Sequence, residues 1–197
     1  QLVLTKIIEA CIQNNWRVVS ANTDGIETII PIEEETLYEE TLNKISLDCF
    51  NLILEHEQYK SIYYKNVNSY IAITANNKIK QKGIFVEKPT LGSSTDELVI
   101  AKALTAYYVK GIKPKEFISN PDKFGLHIYD YCKSNKIDKS FIVWHDGQIQ
   151  QQLNRYYFSK NAPYLYKQKN KGTMQHVNVG EGVELFNTYV KKNWEDY

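Results

Sequence analysis

Asp24 lies in the stretch Trp16-Arg-Val-Val-Ser-Ala-Asn-Thr-Asp-Gly-Ile-Glu-Thr-Ile-Ile-Pro31, which reads as two short strands with a carboxylate at the turn between them. Asp-Gly is a strong hairpin signal, because glycine accepts positive φ without a Cβ penalty and Asp tolerates it. The β-branched flanks Val18, Val19, Ile26, Ile29 and Ile30 suit a pleated surface, and Pro31 ends the second strand by withdrawing a ladder donor. A carboxylate on a rigid turn is a hard oxygen donor of the kind Mg²⁺ takes, and Asn22 and Thr23 stand beside it. Glu27 could reach the same face, although its place on a strand reads as a solvated one. A second chemical signal is Arg155-Tyr-Tyr-Phe-Ser-Lys160 with Tyr164, Tyr166, Lys167 and Lys169 after it. Cations interleaved with aromatics and hydroxyls form a surface able to track phosphates, since lysine and arginine release counterions while Tyr and Ser hydroxyls fix register. The competing reading is an aromatic strand pair whose lysines snorkel.

Other residue types carry less. His56, His127, His145 and His176 lack ligand spacing and read as surface or satisfied core residues. Cys11, Cys49 and Cys132 form no Cys-x-x-Cys pair, which argues against a disulfide framework or a zinc site and for small buried apolar residues. The net charge of +1 excludes a uniformly basic coat, yet charge is unevenly spread. Residues 33–57 hold eight acids against Lys44 alone, while residues 155–171 hold five cations and no acid. The longest apolar runs are too short to span a bilayer and no signal pattern precedes the first helix, so the expected location is cytoplasmic, with no membrane partner. Met174 is the only methionine and Gln1 opens inside an apolar periodic segment, which reads as a fragment of a longer chain.

The elements that must position these residues follow from periodicity. Leu4, Ile7, Ile8, Cys11 and Ile12 make one helical stripe ending near Asn14-Asn15, and a second helix starts near Glu33 with Tyr38, Leu42, Ile45 and Cys49 on one face. Strands are expected over residues 52–55, 61–65 and 67–75, with Asn76-Asn77 turning the chain into 78–86. Pro89 and Leu91-Gly-Ser-Ser94 read as a linker, dividing the chain into residues 1–92 and 93–197. Beyond it, Ser94-Thr-Asp-Glu97 is a capping-box pattern before a helix that Gly111 stops, and a short helix lies between Pro114 and Asn120-Pro121. Further helices are expected over 124–133, 148–154 and 183–192, with a β-like piece over 140–144 before a His145-Asp-Gly147 turn. The fold class is therefore α+β: an antiparallel sheet with helices on one face, then a mostly helical second part.

The order of an amphipathic helix, Ser20-Ala-Asn-Thr-Asp-Gly25, Asn68-Ser-Tyr70 and Lys82-Gly83 resembles the C-terminal part of a family B DNA polymerase of phage type, over essentially the whole chain. The hairpin is similar to the motif Tyr-x-Asp-Thr-Asp-Ser, whose last aspartate falls on Asp24. Asn22 stands where the family has its first aspartate, Ser20 where it has tyrosine, Gly25 where it has serine, and Asn68 where it has the lysine of a Lys-x-Tyr element. The resemblance implies residues 1–92 as palm and 93–197 as thumb, with Asp24 as catalytic metal ligand. Tyr70, Lys82, Arg155, Tyr156, Tyr157, Ser159, Lys160, Lys167 and Lys169 would lie on DNA.

It further implies template-directed nucleotidyl transfer in DNA replication. Two Mg²⁺ ions, or Mn²⁺, roughly 3.5–4 Å apart would activate the primer hydroxyl and neutralise the leaving pyrophosphate. The implied partners are primer-template DNA, deoxynucleoside triphosphates and the upstream remainder of the same chain, in a bacterial host cytoplasm if the source is a phage. The second carboxylate and the nucleotide-gripping helix are upstream elements in the family, so the fragment alone is expected to be inactive. The alternative is a non-catalytic module that holds single strands on a small sheet and a basic aromatic segment.

Overall fold

The computed structural model describes residues 2–90, 94–169, 172–178, 180–188 and 194. It is α+β, with helices packed beside antiparallel sheets, and it divides into two compact units, Gln1–Lys80 and Gln81–Tyr197. The division falls between Lys80 and Gln81, inside the strand Ile79–Lys82; residues 91–93 of the expected linker lie outside the described residues.

In the first unit, helix α1 (Leu2–Gln13) leads into strands β1 (Arg17–Ala21) and β2 (Ile26–Ile29), and helix α2 (Glu35–Phe50) follows a 3-10 turn at Ile32–Glu34. The predicted stripe is what packs. Ile7, Ala10 and Cys11 of α1 meet Trp16 and Leu42, with Val18, Ile26, Ile30, Tyr38 and Ile45 around them. Removing such side chains from water is worth about 1.5–3 kcal/mol each, which is what fixes a hairpin too short to stand alone. Polar tips complete the joint: Trp16 Nε1 donates to Glu34 at 2.6 Å, and Thr28 donates to the Tyr38 hydroxyl at 2.8 Å. Strands β3 (Tyr59–Asn66), β4 (Ser69–Thr74) and β5 (Ile79–Lys82) then form an antiparallel sheet in that order. Residues 52–55 make no strand; Leu54 instead packs on the α1–α2 core. Cys49 is exposed, unlike Cys11 and Cys132, because it lies at the end of α2 beyond the packed stripe.

The second unit departs from the expectation of a mostly helical part. Helix α3 (Leu98–Lys110) is long, α4 (Pro114–Ile118) and α5 (Pro121–Phe124) are short, and seven strands follow among the described residues. These are β6 (Lys133–Lys136), β7 (Phe141–His145), β8 (Gln148–Gln150), β9 (Leu153–Phe158), β10 (Leu165–Lys169), β11 (Gln175–His176) and β12 (Val183–Leu185). They build two antiparallel sheets, β11-β10-β7-β8 and β12-β9-β6, which share a core of Ile137, Val143, Tyr156, Leu165, Val183 and Leu185. Helix α3 has a core of its own with α4, made by Val99, Ala103, Ala106, Phe117 and Leu126.

Each misread helix has a local cause. Residues 148–154 are rich in helix-forming glutamine, but Asp146 and Gly147 adopt φ of 50° and 71° and turn β7 back into β8. In the 124–133 segment Gly125, at φ 64°, ends α5, and only a 3-10 turn at Ile128–Tyr131 follows. Val183 and Leu185 alternate inward against β9, so residues 183–185 form a strand; the rest of the helix expected to 192 lies largely outside the described residues. The capping box at Ser94 does not form. Glu97 sits at φ 49° and its N–H donates to the Cys132 carbonyl, while Ser94 Oγ accepts from Asp96 N at 3.3 Å.

Candidate metal and nucleic-acid site

Asp24 is exposed at the tip of the β1–β2 hairpin, and its carboxylate has no hydrogen-bond or ion-pair partner among the described residues. The turn is built differently from the Asp-Gly expectation: neither Asp24 nor Gly25 has positive φ. Instead Asn22 Oδ1 accepts from the backbone N–H of Asp24 at 2.8 Å and of Gly25 at 2.9 Å, and Asn22 N donates to the Gly25 carbonyl at 3.0 Å. This is an Asx turn, in which a short amide side chain replaces a backbone carbonyl. Asn22 is therefore the turn-maker, and its oxygen faces the backbone. Register shifts between Val18 and Ser20, a bulge just before the tip that twists the strand carrying the turn.

Glu27 is not a solvated strand residue. It sits opposite Ser20, is half-buried, and its Oε2 is buried without a hydrogen-bond partner, near the Tyr64 phenol. Burial first, and then the neighbouring Glu27 carboxylate, push the Tyr64 hydroxyl well above the ordinary phenol range. Tyr59 is raised in the same way, by burial and by its bond to Glu57. Tyr70 lies across from Tyr64 on β4, with ring centroids 5.7 Å apart, so the tyrosine of the Asn68-Ser-Tyr70 element belongs to this phenol cluster. Asn68 is exposed, and its N–H is held by Asn66 Oδ1 at 3.0 Å. Among the described residues no three His, Cys, Asp or Glu side chains gather as a metal site. A divalent ion would find one hard donor here, Asp24; Thr23 is an exposed neighbour.

The predicted DNA-contacting residues divide. Lys82 and Lys160 are exposed. Lys167 and Lys169 lie with their ammonium groups 5.3 and 5.9 Å from the centre of the Phe141 ring; Lys167 is half-buried and Lys169 exposed. Arg155 is committed within the unit: NH1 donates to Thr95 Oγ1 at 2.6 Å, NH2 to the Thr95 carbonyl at 2.7 Å, and the guanidinium lies 3.9 Å from the centre of the Tyr129 ring. Tyr156 and Tyr157 are core residues, 5% and 1% exposed, because β9 is the central strand of its sheet and is covered on both faces. Tyr156 packs with Val143 and Leu165, Tyr157 packs with Ile128 and Cys132, and the Tyr157 hydroxyl donates to Glu184. Ser159 Oγ is 3.5 Å from the other Glu184 oxygen. Tyr156, Tyr157 and Arg155 thus hold the sheets together rather than reaching outward; Lys160 and Lys169 are exposed and Lys167 is half-buried.

Sequence alone places Tyr164 and Tyr166 with the basic segment but misses their neighbours across the sheet. Along β10 the side chains alternate, and Tyr166 points away from the core that Leu165 fills. Its cross-strand partners are Trp144 on β7 and His176 on β11, and Trp144 in turn pairs with Ile149 on β8. The alternation of Ile142 with Trp144 and of Tyr164 with Tyr166 is the signal that could have revealed this row. No protein-family model and no curated protein matches the chain.

Proposed function

We propose that the chain is the palm and thumb portion of a DNA-dependent DNA polymerase, in which Asp24 is a metal-ligating carboxylate for nucleotidyl transfer. The observation that carries the reading is the division of labour at the hairpin tip. Asn22 satisfies the turn with two backbone bonds, so Asp24 is left exposed and without a side-chain partner among the described residues. Its hairpin is anchored by Trp16 to Glu34 of the 3-10 turn and by Thr28 to Tyr38 of α2. An unpartnered acid near nucleic-acid phosphates is repelled unless a cation lies between them.

Asp24 fits Mg²⁺ or Mn²⁺ as one hard oxygen ligand, and bound divalent ions would supply charge neutralisation at the phosphates. The second carboxylate and the helix gripping the deoxynucleoside triphosphate are assigned to upstream residues of the same chain, as the resemblance implies. What the residues in hand contribute is placement: the hairpin presents Asp24, the Asn22 turn holds its backbone, and Lys160, Lys167 and Lys169 attract the primer-template backbone. No helix among the described residues is long and apolar enough to cross a membrane.

The test is primer extension by the full-length protein with Mg²⁺. Asp24→Asn is expected to lower the rate about a hundredfold or more while leaving duplex affinity within twofold. Normal extension by that variant would remove the catalytic assignment. The second reading, a nucleic-acid-binding module without catalysis, is favoured by the aromatic row on the β10 sheet and would be left standing by that outcome.

A further inference from the structure

We propose that the outer face of the β8-β7-β10-β11 sheet is a stacking platform for single-stranded nucleic acid, with Tyr166, Trp144 and His176 as the surfaces on which bases lie. The proposal rests on the reading that this unit contacts nucleic acid, and it names a different ligand and different residues from the lysines that would follow duplex backbone.

The row is fixed by register. Ile149 faces Trp144, Trp144 faces Tyr166 and Tyr166 faces His176, one residue from each of four neighbouring strands. Three inter-strand steps of about 4.8 Å make the row about 14 Å across, which suits the two or three bases that sheet platforms stack. The rings are packed as a group: Tyr166 and His176 centroids are 4.6 Å apart, and Tyr164 stands edge-on to His176 at 5.0 Å. Ile149 is 65% exposed, and Ile142 and Tyr164 are each 41% exposed, although the opposite face of the same strands supplies Val143 and Leu165 to the core. None of these outward residues joins a hydrophobic core cluster among the described residues.

Charge selects the occupant. Of the cations between residues 133 and 169, Lys133 pairs with Glu97 and Arg155 with Thr95 and Asp96, which leaves Lys136, Lys139, Lys160, Lys167 and Lys169 against Asp138 and Asp146. Lys169 pairs with Phe141 at one end of the sheet, and Lys139 precedes Phe141 by two residues, with Asp138 beside them. An uncharged aromatic face inside a positive field attracts a polyanion with exposed ring faces. A duplex keeps its base faces stacked internally, whereas a single strand offers them.

The experiment is a fluorescence-anisotropy titration of the whole chain with a labelled oligothymidylate and, separately, a labelled hairpin duplex, each at two salt concentrations. Tyr166→Ala should weaken oligothymidylate binding about five- to a hundredfold, leave its salt slope unchanged and leave duplex affinity within twofold. Ile149→Glu, at a position too exposed to unfold the sheet, should also weaken the single-strand complex, and quenching of Trp144 emission on binding should be lost in Trp144→Leu. Replacing Lys160 and Lys169 by Gln should instead weaken both complexes and flatten the salt slope. Unchanged oligothymidylate affinity in both Tyr166→Ala and Ile149→Glu, with lysine-dependent duplex binding intact, would overturn the platform and spare the broader reading. Absence of any binding by the unmodified chain would overturn both.

Discussion

The molecule contains two hairpins with Asp-Gly at the tip, and they are built on different principles. At Asp146-Gly147 both residues take positive φ, and the turn is a property of the backbone that glycine makes inexpensive. At Asp24-Gly25 neither does, and the turn is a property of the Asn22 side chain. The same dipeptide is therefore a structural device in one place and leaves its acid unburdened in the other. The residue two before the aspartate decides: Asn22 is short and reaches the N–H groups of Asp24 and Gly25, whereas the counterpart before Asp146 is Trp144, whose indole can only donate.

Activity gives the widest separation between the two turns. Beside the hundredfold loss expected for Asp24→Asn in primer extension, Asp146→Asn should extend primers at the unmodified rate, since Asn tolerates positive φ and the turn survives. Equal losses would erase the distinction. Thermal or denaturant unfolding provides the next contrast. Gly147→Ala should cost about 1–2 kcal/mol, because an alanine at φ 71° meets the left-handed penalty. Gly25→Ala should be within about 0.5 kcal/mol of unmodified, because a Cβ there meets no atom within 4 Å and φ is not positive.

Asn22→Ala should cost about 1 kcal/mol by removing an acceptor shared by two exposed backbone donors, and Asn22→Asp should restore most of it. If Asn22→Ala were neutral, the Asx turn would not be what holds the tip. The smallest effect is a titration. The Tyr64 phenol should ionise above its ordinary range in ultraviolet absorbance, and Glu27→Gln should lower that value without abolishing the elevation, since burial is the larger cause. Because the folded-state value is raised, the associated stability is full below the unfolded phenol's pKa of about 10 and is lost as pH climbs through the folded one.

How much of this was legible depends on whether local signals and tertiary demands agreed. The first unit was largely readable: the α1 stripe at Ile7 and Cys11 and the α2 stripe at Tyr38, Leu42 and Ile45 pack where their spacing places them. The hairpin was readable, but its mechanism was not, because Asp-Gly suggests a backbone turn and the Asn22 bonds are visible only in three dimensions. The second unit resisted. Gln148–Gln150 has helical propensity overridden by pairing with β7, and the inward placement of Tyr156 and Tyr157 depends on partners on β6 and β12 that are distant in sequence. Burial of Arg155 was equally hidden, since its partner Thr95 lies 60 residues earlier.

That last clasp has a kinetic consequence. Thr95 precedes α3 and Arg155 lies in β9, so the guanidinium can close on its partner only after the intervening helices and the β7–β8 hairpin have shortened the span between them. The α1 and α2 helices need no comparable closure. Such high-separation pairing is formed late, and it ties the start of the second unit to its sheets. In a refolding experiment Arg155→Ala would therefore be expected to speed unfolding more than it slows folding.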